Sequence, residues 1–413
     1  MREQKTRRDL LFLCHRIPFP PDKGDKIRSY HWLLALAESF RVHLAAFVDD
    51  PADWAHRDRL EALCDSCLLL PLKPTVGRMR SLKGFLTGEA LSLPYYRDRR
   101  LNRWLGRIWR THDIRHLVVY SSAMAQYVVG PPFDRARRVI DFVDVDSDKW
   151  RQYAQEKRGP MRWVYGREAA RLETFDLSLA RVFDLSLFVS PSEAAWFRER
   201  FDLGGARLTH VTNGVDSDYF DPRHGGESPY SEGACAVVFT GAMDYQANMD
   251  AVTWFVKEVW PRVRASKSRA VFYIVGSNPA SGVKALEGDG VVVTGRVPDV
   301  RPYLHYGEAV VAPMRIARGI QNKALEAMSM ARPVVVTTKG LEGIAAEDGT
   351  EVLLADDADE FARKVLEILS GVWPKVGDAA RRLVRREYAW EESCSRFVRL
   401  VEGAEPALSD ASG

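Results

Sequence analysis

No stretch of this sequence approaches the roughly 20 consecutive apolar residues that a helix needs to span a bilayer, so no membrane-crossing segment is expected. Cysteine is scarce. Its five copies are scattered and odd in number, which argues against a disulfide scaffold and fits a reducing cytoplasm. Cys64 and Cys67 form a CxxC without a second pair and read as small buried hydrophobes, not as a metal or redox site. The start, Met1 to Arg8, is charged, and the apolar run over 10–14 is too short for a signal core, so no export signal is expected. Excess charge of one sign is also missing: 59 basic and 56 acidic side chains leave +3, which speaks against a nucleic-acid binder. Internal repeats and low-complexity tracts are absent too. What remains is an ordinary globular composition, 46% hydrophobic and 28% charged, in 413 residues, too many for a single core.

Short apolar or β-branched runs alternate with helical patterns along nearly the whole chain. Strands are predicted at 10–14, 42–48, 68–70, 117–120, 139–143 and 187–190, with a helix over 25–40. A second set covers 236–241, 271–275, 291–294, 309–312, 333–337 and 352–354, with helices over 249–265, 322–331 and 357–370. The alternation implies an α/β protein of two doubly wound, Rossmann-like domains. We place them at 1–205 and 206–385, linked within 190–234, with 386–413 as a helix crossing back to the first domain. The ligand cleft is expected between the domains. Ligands of open parallel sheets gather at the C-terminal strand ends, so chemistry is sought in the loops that follow strands.

Three such loops stand out. After the first strand, His15–Arg28 contains Gly24, where a backbone can approach a ligand closely, and a helix start flanked by Lys23, Lys26 and Arg28; a proline-rich turn is the plainer reading. Thr240–Asn248 offers Gly241 and a helix start with Asn248 as its cap, but no base. The strongest is Pro313–Gln321, leading into a helix capped by Asn322. A diphosphate at that start would meet the helix dipole together with Lys323, Arg318 and Arg315. Glu326, one turn in, suits the two hydroxyls of a ribose.

On these residues the C-terminal half resembles the family-four retaining GT-B glycosyltransferases. Val211-Thr212-Asn213-Gly214-Val215-Asp216 with Phe220 and Pro222 is similar to the segment that opens their second domain. The order Phe272–Gly276, Val293–Val297, Leu325–Met328 and Arg332–Val335 follows theirs. Pro20–Arg28, Asp141–Trp150 and Phe239–Asn248 resemble a subgroup associated with bacterial exopolysaccharide and exosortase gene clusters. The resemblance implies a GT-B fold and transfer of a sugar, with retention, from a nucleotide-sugar to a glycan or lipid-linked acceptor. It implies no metal and no other cofactor. Donor contacts would come from Gly24, Gly241, Asn248, Arg296, Val297, Gly319, Ile320, Gln321, Asn322 and Glu326. Arg318 and Lys323 would balance the leaving diphosphate, and Arg16, Lys26, Arg28 and Asp146 would face the acceptor. Asp144 falls near the place where relatives carry a histidine and is the candidate base or charge stabiliser. Two departures stand out: Arg318 replaces a frequent Glu, and the loop after Gly241 lacks the usual bases.

Aspartates 141, 144, 146 and 148 do not fit an EF-hand, since Lys149 and Gln155 occupy its Gly and Glu places. A basic helix is also expected: Arg97, Arg99, Arg100, Arg103, Arg107 and Arg110 interleave with Leu101, Trp104, Leu105, Ile108 and Trp109 at helical spacing. It reads either as a packed helix with a solvated basic side or as a dock on an anionic membrane surface, which Gly77–Phe85 with Arg78, Arg80 and Lys83 could extend and which would make a cytoplasmic chain peripheral. An epimerase of the same fold and a non-catalytic partner protein are the competing functional readings.

Overall fold

The computed structural model of the chain describes residues 7–21, 24–156, 158–201, 203, 206–316 and 320–404. They fall into two units: one runs to Thr212 and resumes at Cys394, and the other is Asn213–Ser393.

The first unit is built on seven parallel strands: β1 (Arg8–Cys14), β2 (Phe40–Val48), β3 (Ser66–Pro71), β4 (Ile114–Tyr120), β5 (Arg137–Val143), β6 (Leu185–Phe188) and β7 (Leu208–His210), in the order 3-2-1-4-5-6-7. Helices cover both faces of a parallel sheet, so its central strands read as unbroken apolar runs; Leu10 to Cys14 are all buried. β7 is too short to announce itself by pattern. Its pairing with β6, Ser186 against Leu208, carries the first unit to 212 instead of 205. The return to this unit begins at Cys394, eight residues later than the expected 386, inside the helix Trp390–Glu402. Phe397 of that helix stacks on Trp32 at 4.2 Å, and Arg137 donates to the carbonyls of Leu400 and Val401 near the helix end, where orphaned acceptors attract a cation.

The second unit holds six parallel strands: β8 (Cys235–Thr240), β9 (Ala270–Val275), β10 (Val291–Gly295), β11 (Ala309–Ala312), β12 (Val334–Val336) and β13 (Leu353–Leu354), ordered 10-9-8-11-12-13. The helix expected over 249–265 is three pieces: Gln246–Trp254, a π-turn Phe255–Val259, and Trp260–Ser266. Pro261 explains the wide turn, since it has no N–H to give to the preceding one and its ring needs room there.

The basic helix exists as Arg99–Thr111, started by Asp98, whose side chain accepts the Arg100 N–H. Its apolar face is spent on the core: Leu101, Trp104, Leu105 and Ile108 are buried. Arg97 pairs with Glu89, and Arg100 with Asp98. The helix therefore turns its charge and not its apolar stripe to solvent, the arrangement of a packed helix with a solvated basic side. All five cysteines are free thiols; burial raises those of Cys64 and Cys67, the latter to about 12, as inert packing residues require.

Candidate functional site

In the second unit the chain winds from β8 outward through β9 to β10 and then returns to β11 on the other side of β8. β8 and β11 are thus the strands at which the winding reverses, and the loops that leave them are where an open parallel sheet holds a ligand. Glycine is obligatory where the loops after β8 and β9 meet. A Cβ on Gly276 would sit 1.7 Å from the Gly241 carbonyl oxygen, and one on Gly241 would sit 2.6 Å from Asn248 Nδ2. Asn248 is not the expected helix cap. The helix starts at Gln246 behind Tyr245, and Asn248, buried two residues later, donates to the Ala242 carbonyl at 2.9 Å. It ties the loop down, while its Oδ1 is buried with no protein partner.

Beyond β11, Arg315 is held by Asp250 in a two-pronged pair at 2.5 and 3.0 Å. Arg318 and Gly319 lie outside the described residues. The following helix is Asn322–Ser329, with Gln321 rather than Asn322 in the cap position. Lys323 Nζ is placed 3.2 Å from Gln321 Oε1, 3.9 Å from Met314 Sδ and 5.5 Å from the centre of the Phe239 ring. These soft surroundings solvate an ammonium poorly, so burial draws its pKa down to about 8, with Glu326 opposing. Burial pushes the Glu326 carboxyl up to about 7, and Lys323 opposes that in turn. A cation and a carboxylate are thus kept one helical turn apart at a helix start, both titrating near neutrality. Ile320 has a structural task, packing against Gly343, where a Cβ would come within 2.8 Å of it. Arg296 and Val297 follow β10 at the sheet edge; Arg296 is exposed, and Val297 packs on the core.

One group beside Glu326 escaped the sequence reading. The Tyr219 hydroxyl lies 3.4 Å from Asp299, and the Arg301 guanidinium covers its ring at 4.1 Å. Burial and Asp299 raise the phenol, Arg301 opposes, and the charge of Glu326 adds a smaller push. The only signal was its position in the Asp216–Pro222 segment, next to Phe220.

The first unit carries a cavity of about 800 Å³ at the C-terminal ends of β1, β4 and β5. The reversal of winding, between β1 and β4, lies there too. Arg16, Asp144 and Asp146 line it, together with His15, Ser122 and the aromatic rings of Tyr96, Trp150 and Tyr165. Lys26 and Arg28 do not. Lys26 is buried against Asp53 at 2.7 Å, and Arg28 against Asp141 at 2.8 Å, so both serve the fold instead of facing an acceptor. Gly24 is exposed, and a Cβ there would meet nothing within 4 Å, so protein packing does not demand glycine. His15 is an addition. It stacks on Tyr120, places Nε2 3.4 Å from Asp25, and leaves Nδ1 buried without a partner. Burial would raise Asp25, but the hydrogen bond from His15 and the charges of His15 and Arg16 outweigh it and hold the carboxyl well below the usual range. Asp146 behaves oppositely: burial raises it, Lys149 opposes, and Asp144 adds to the rise. Carboxyls of one cavity set apart in this way are what proton-transfer chemistry uses.

The floor of the cavity is strained. Ser121 and Val143, at the ends of adjacent strands, have φ of 75° and 68°, a region costly for a β-branched residue. Asp141 Oδ1 accepts the Val143 N–H at 3.0 Å and pins that turn. Relief of strain should therefore offset the lost side chain in Val143→Gly, leaving stability within about 1 kcal/mol of the parent. Val139→Gly, in the buried interior of the same strand, should cost about 3 kcal/mol or more. Urea unfolding of both variants checks this, and equal losses would show that Val143 is unstrained.

The four aspartates do not converge: Asp141 is buried in its ion pair, and Asp148 pairs with Arg151. Among the described residues, one grouping has metal-compatible spacing, Asp9, His43 and His112, at the opposite end of the sheet. There Asp9 already serves Arg41 at 2.7 Å and His43 at 3.1 Å.

Residues 234–371 match the family described as Glycosyl transferases group 1. An uncharacterized 44.6 kDa protein from the cps region of Klebsiella pneumoniae is 25% identical over 142 residues, 32% of this chain and 36% of that protein. That match thus spans about a third of the relative's length. Among solved structures, sucrose-phosphate synthase from Thermosynechococcus elongatus superposes with a TM-score of 0.67 at 16% identity, covering 96% of this chain and 99% of its own. The Anabaena protein HepE in complex with UDP and glucose gives 0.61 at 14%, covering 95% and 99%. WaaG, a glycosyltransferase involved in lipopolysaccharide biosynthesis, gives 0.61 at 12%, covering 95% and 100%. The chain has the two-domain α/β fold of GT-B proteins, and the likeness to glycosyltransferase group 1 lies within its second unit.

Proposed function

We propose that this chain is a retaining glycosyltransferase that holds a nucleotide-sugar on its second unit and a glycan acceptor, carried on a lipid, in the cavity of its first. The observation that carries the reading is the pair Lys323 and Glu326 at the start of Asn322–Ser329, beside the reversal of winding. The helix start and Lys323 meet the charge that develops on the leaving diphosphate, worth most in a site shielded from water. Glu326, once ionised, accepts from both ribose hydroxyls. This division of labour asks for no metal. The acceptor hydroxyl is assigned to Asp144 and Asp146, the latter with the raised carboxyl. The cps-region relative supports a role in surface polysaccharide synthesis, and the UDP and glucose in the HepE complex make UDP-glucose the first donor to try.

The test is sugar transfer from a panel of UDP-, GDP- and ADP-sugars to a lipid-linked acceptor, with and without a chelator. Asp144→Asn should lower kcat about 100-fold or more, with donor KM within twofold, because the residue acts on the acceptor. Donor turnover without acceptor, giving an epimerised sugar, would support the epimerase reading instead. Nucleotide binding without any turnover would leave a non-catalytic partner protein.

A further inference from the structure

Eight of the fifteen large apolar side chains that stand exposed among the described residues fall within 76–86 and 153–163, which makes them a patch instead of ordinary scatter. Met79 is 71% exposed, Leu82 61%, Leu86 90% and Trp163 63%. The two stretches form one surface. Phe85 and Trp163 stack at 6.0 Å, and Arg167 crosses from the second stretch to donate to the Gly84 and Glu89 carbonyls. The supporting elements are the helices Pro74–Ser81 and Lys83–Thr87 and the start of Pro160–Val182. Its charge has one sign: residues 72–88 and 158–167 together hold seven Lys and Arg and no Asp or Glu, in a chain that is otherwise balanced.

We propose that this face docks on an anionic phospholipid bilayer. Leu86, Met79 and Trp163 need somewhere apolar to go, and the surrounding cations need negative charge at the same depth; a layer of acyl chains under anionic headgroups supplies both. Nucleic acid would satisfy the cations but not the aliphatic side chains. The face also leads directly to the cavity, whose lining includes Arg78 and Ser81 from the first of these helices and Tyr153, Val164 and Tyr165 from beside Trp163. On the reading of that cavity as an acceptor site, a lipid-borne acceptor enters it sideways while its anchor stays in the bilayer. The basic helix Arg99–Thr111, with its apolar face buried, is left in solvent.

Co-sedimentation with phosphatidylcholine vesicles, with and without phosphatidylglycerol, tests the docking. The parent should partition onto the anionic vesicles only. The triple variant Met79→Ser, Leu86→Ser, Trp163→Ser should partition roughly tenfold less or worse, with its thermal midpoint kept. Arg103→Gln with Arg107→Gln should stay within about twofold of the parent. The proposal is overturned if the parent ignores anionic vesicles, or if the triple variant binds like the parent. It is equally overturned if the patch instead supports self-association or oligonucleotide binding that the triple variant loses. Turnover separates this from the functional reading. The triple variant should lose transfer to an acceptor embedded in vesicles while keeping transfer to a soluble analogue. A parent that binds vesicles yet transfers to neither would refute the transferase reading and uphold the docking.

Discussion

Affinity for a nucleotide-sugar should trace a bell against pH, rising through about 7 and falling beyond about 8. The donor binds the ionised form of Glu326, whose carboxyl is raised to about 7 by burial, so affinity is lost as pH falls through that value. It also binds the charged form of Lys323, which burial lowers to about 8, so affinity is lost as pH climbs past it. Each unit beyond a limb is about tenfold, so pH 5.5 should cost roughly thirtyfold relative to the plateau. A nucleotide-sugar is the right probe, because its diphosphate diester does not titrate across this range. Calorimetric titration at pH 5.5, 7.5 and 9.5 reads the bell. Glu326→Gln should flatten the acid limb, and Lys323→Ala should lose about 1.5–3 kcal/mol at the plateau, the value of a hydrogen bond to a charged group, and with it the alkaline limb. Affinity that ignores pH, or a Glu326→Gln curve that matches the parent's, would remove these two residues from the donor site.

The second large effect is on stability. Asp141→Ala should lower it by about 3–5 kcal/mol, because the guanidinium of Arg28 is then left buried without its counter-charge. Both partners are fully buried. Asp141 Oδ2 accepts from Arg28 Nε at 2.8 Å and from Trp32 Nε1 at 2.7 Å, while Arg28 also donates to the Val211 carbonyl at 2.7 Å. The pair thus fastens β5 to the helix Gly24–Ser39 through Asp141, and that helix to the segment after β7 through Arg28. In a unit of this size the loss corresponds to a fall of roughly 10 °C in the thermal midpoint, readable by scanning calorimetry. Arg28→Met combined with Asp141→Leu should recover most of it, since an apolar pair leaves no stranded charge. A single mutant as stable as the parent would mean the pair contributes nothing.

The residues show why some features were legible in the sequence and others were not. Strands such as 10–14 and 236–240 were visible because a sheet covered on both faces must be apolar throughout, and the loops that follow them were marked by the same pattern. Lys323 and Glu326 were found because they sit on a helix start that the pattern located. Lys26 and Arg28 were misjudged for a complementary reason. Beside Gly24 they look like ligand cations, but their partners, Asp53 and Asp141, lie 27 and 113 residues away, beyond any periodicity. Asn248 looked like a cap by residue type, while the helix start is decided by hydrogen-bond geometry two residues earlier. The cavity residues Asp144 and Asp146 were reached through resemblance, whereas His15, in the same loop as Arg16, gave no separate sign. The patch over 76–86 was marked by its cations, Arg78, Arg80 and Lys83, but its exposed apolar members could not be told from core, since composition does not say which apolar residues find partners.

The stacking of Phe397 on Trp32 sets an order for synthesis. The first unit cannot finish its core until residues 394–404 have left the ribosome, because they belong to it. The second unit, 213–393, is entire before that point. Every residue of the second unit is therefore available to fold before the residues that complete the first unit's core have been made, the reverse of the usual order in which an N-terminal domain is finished first.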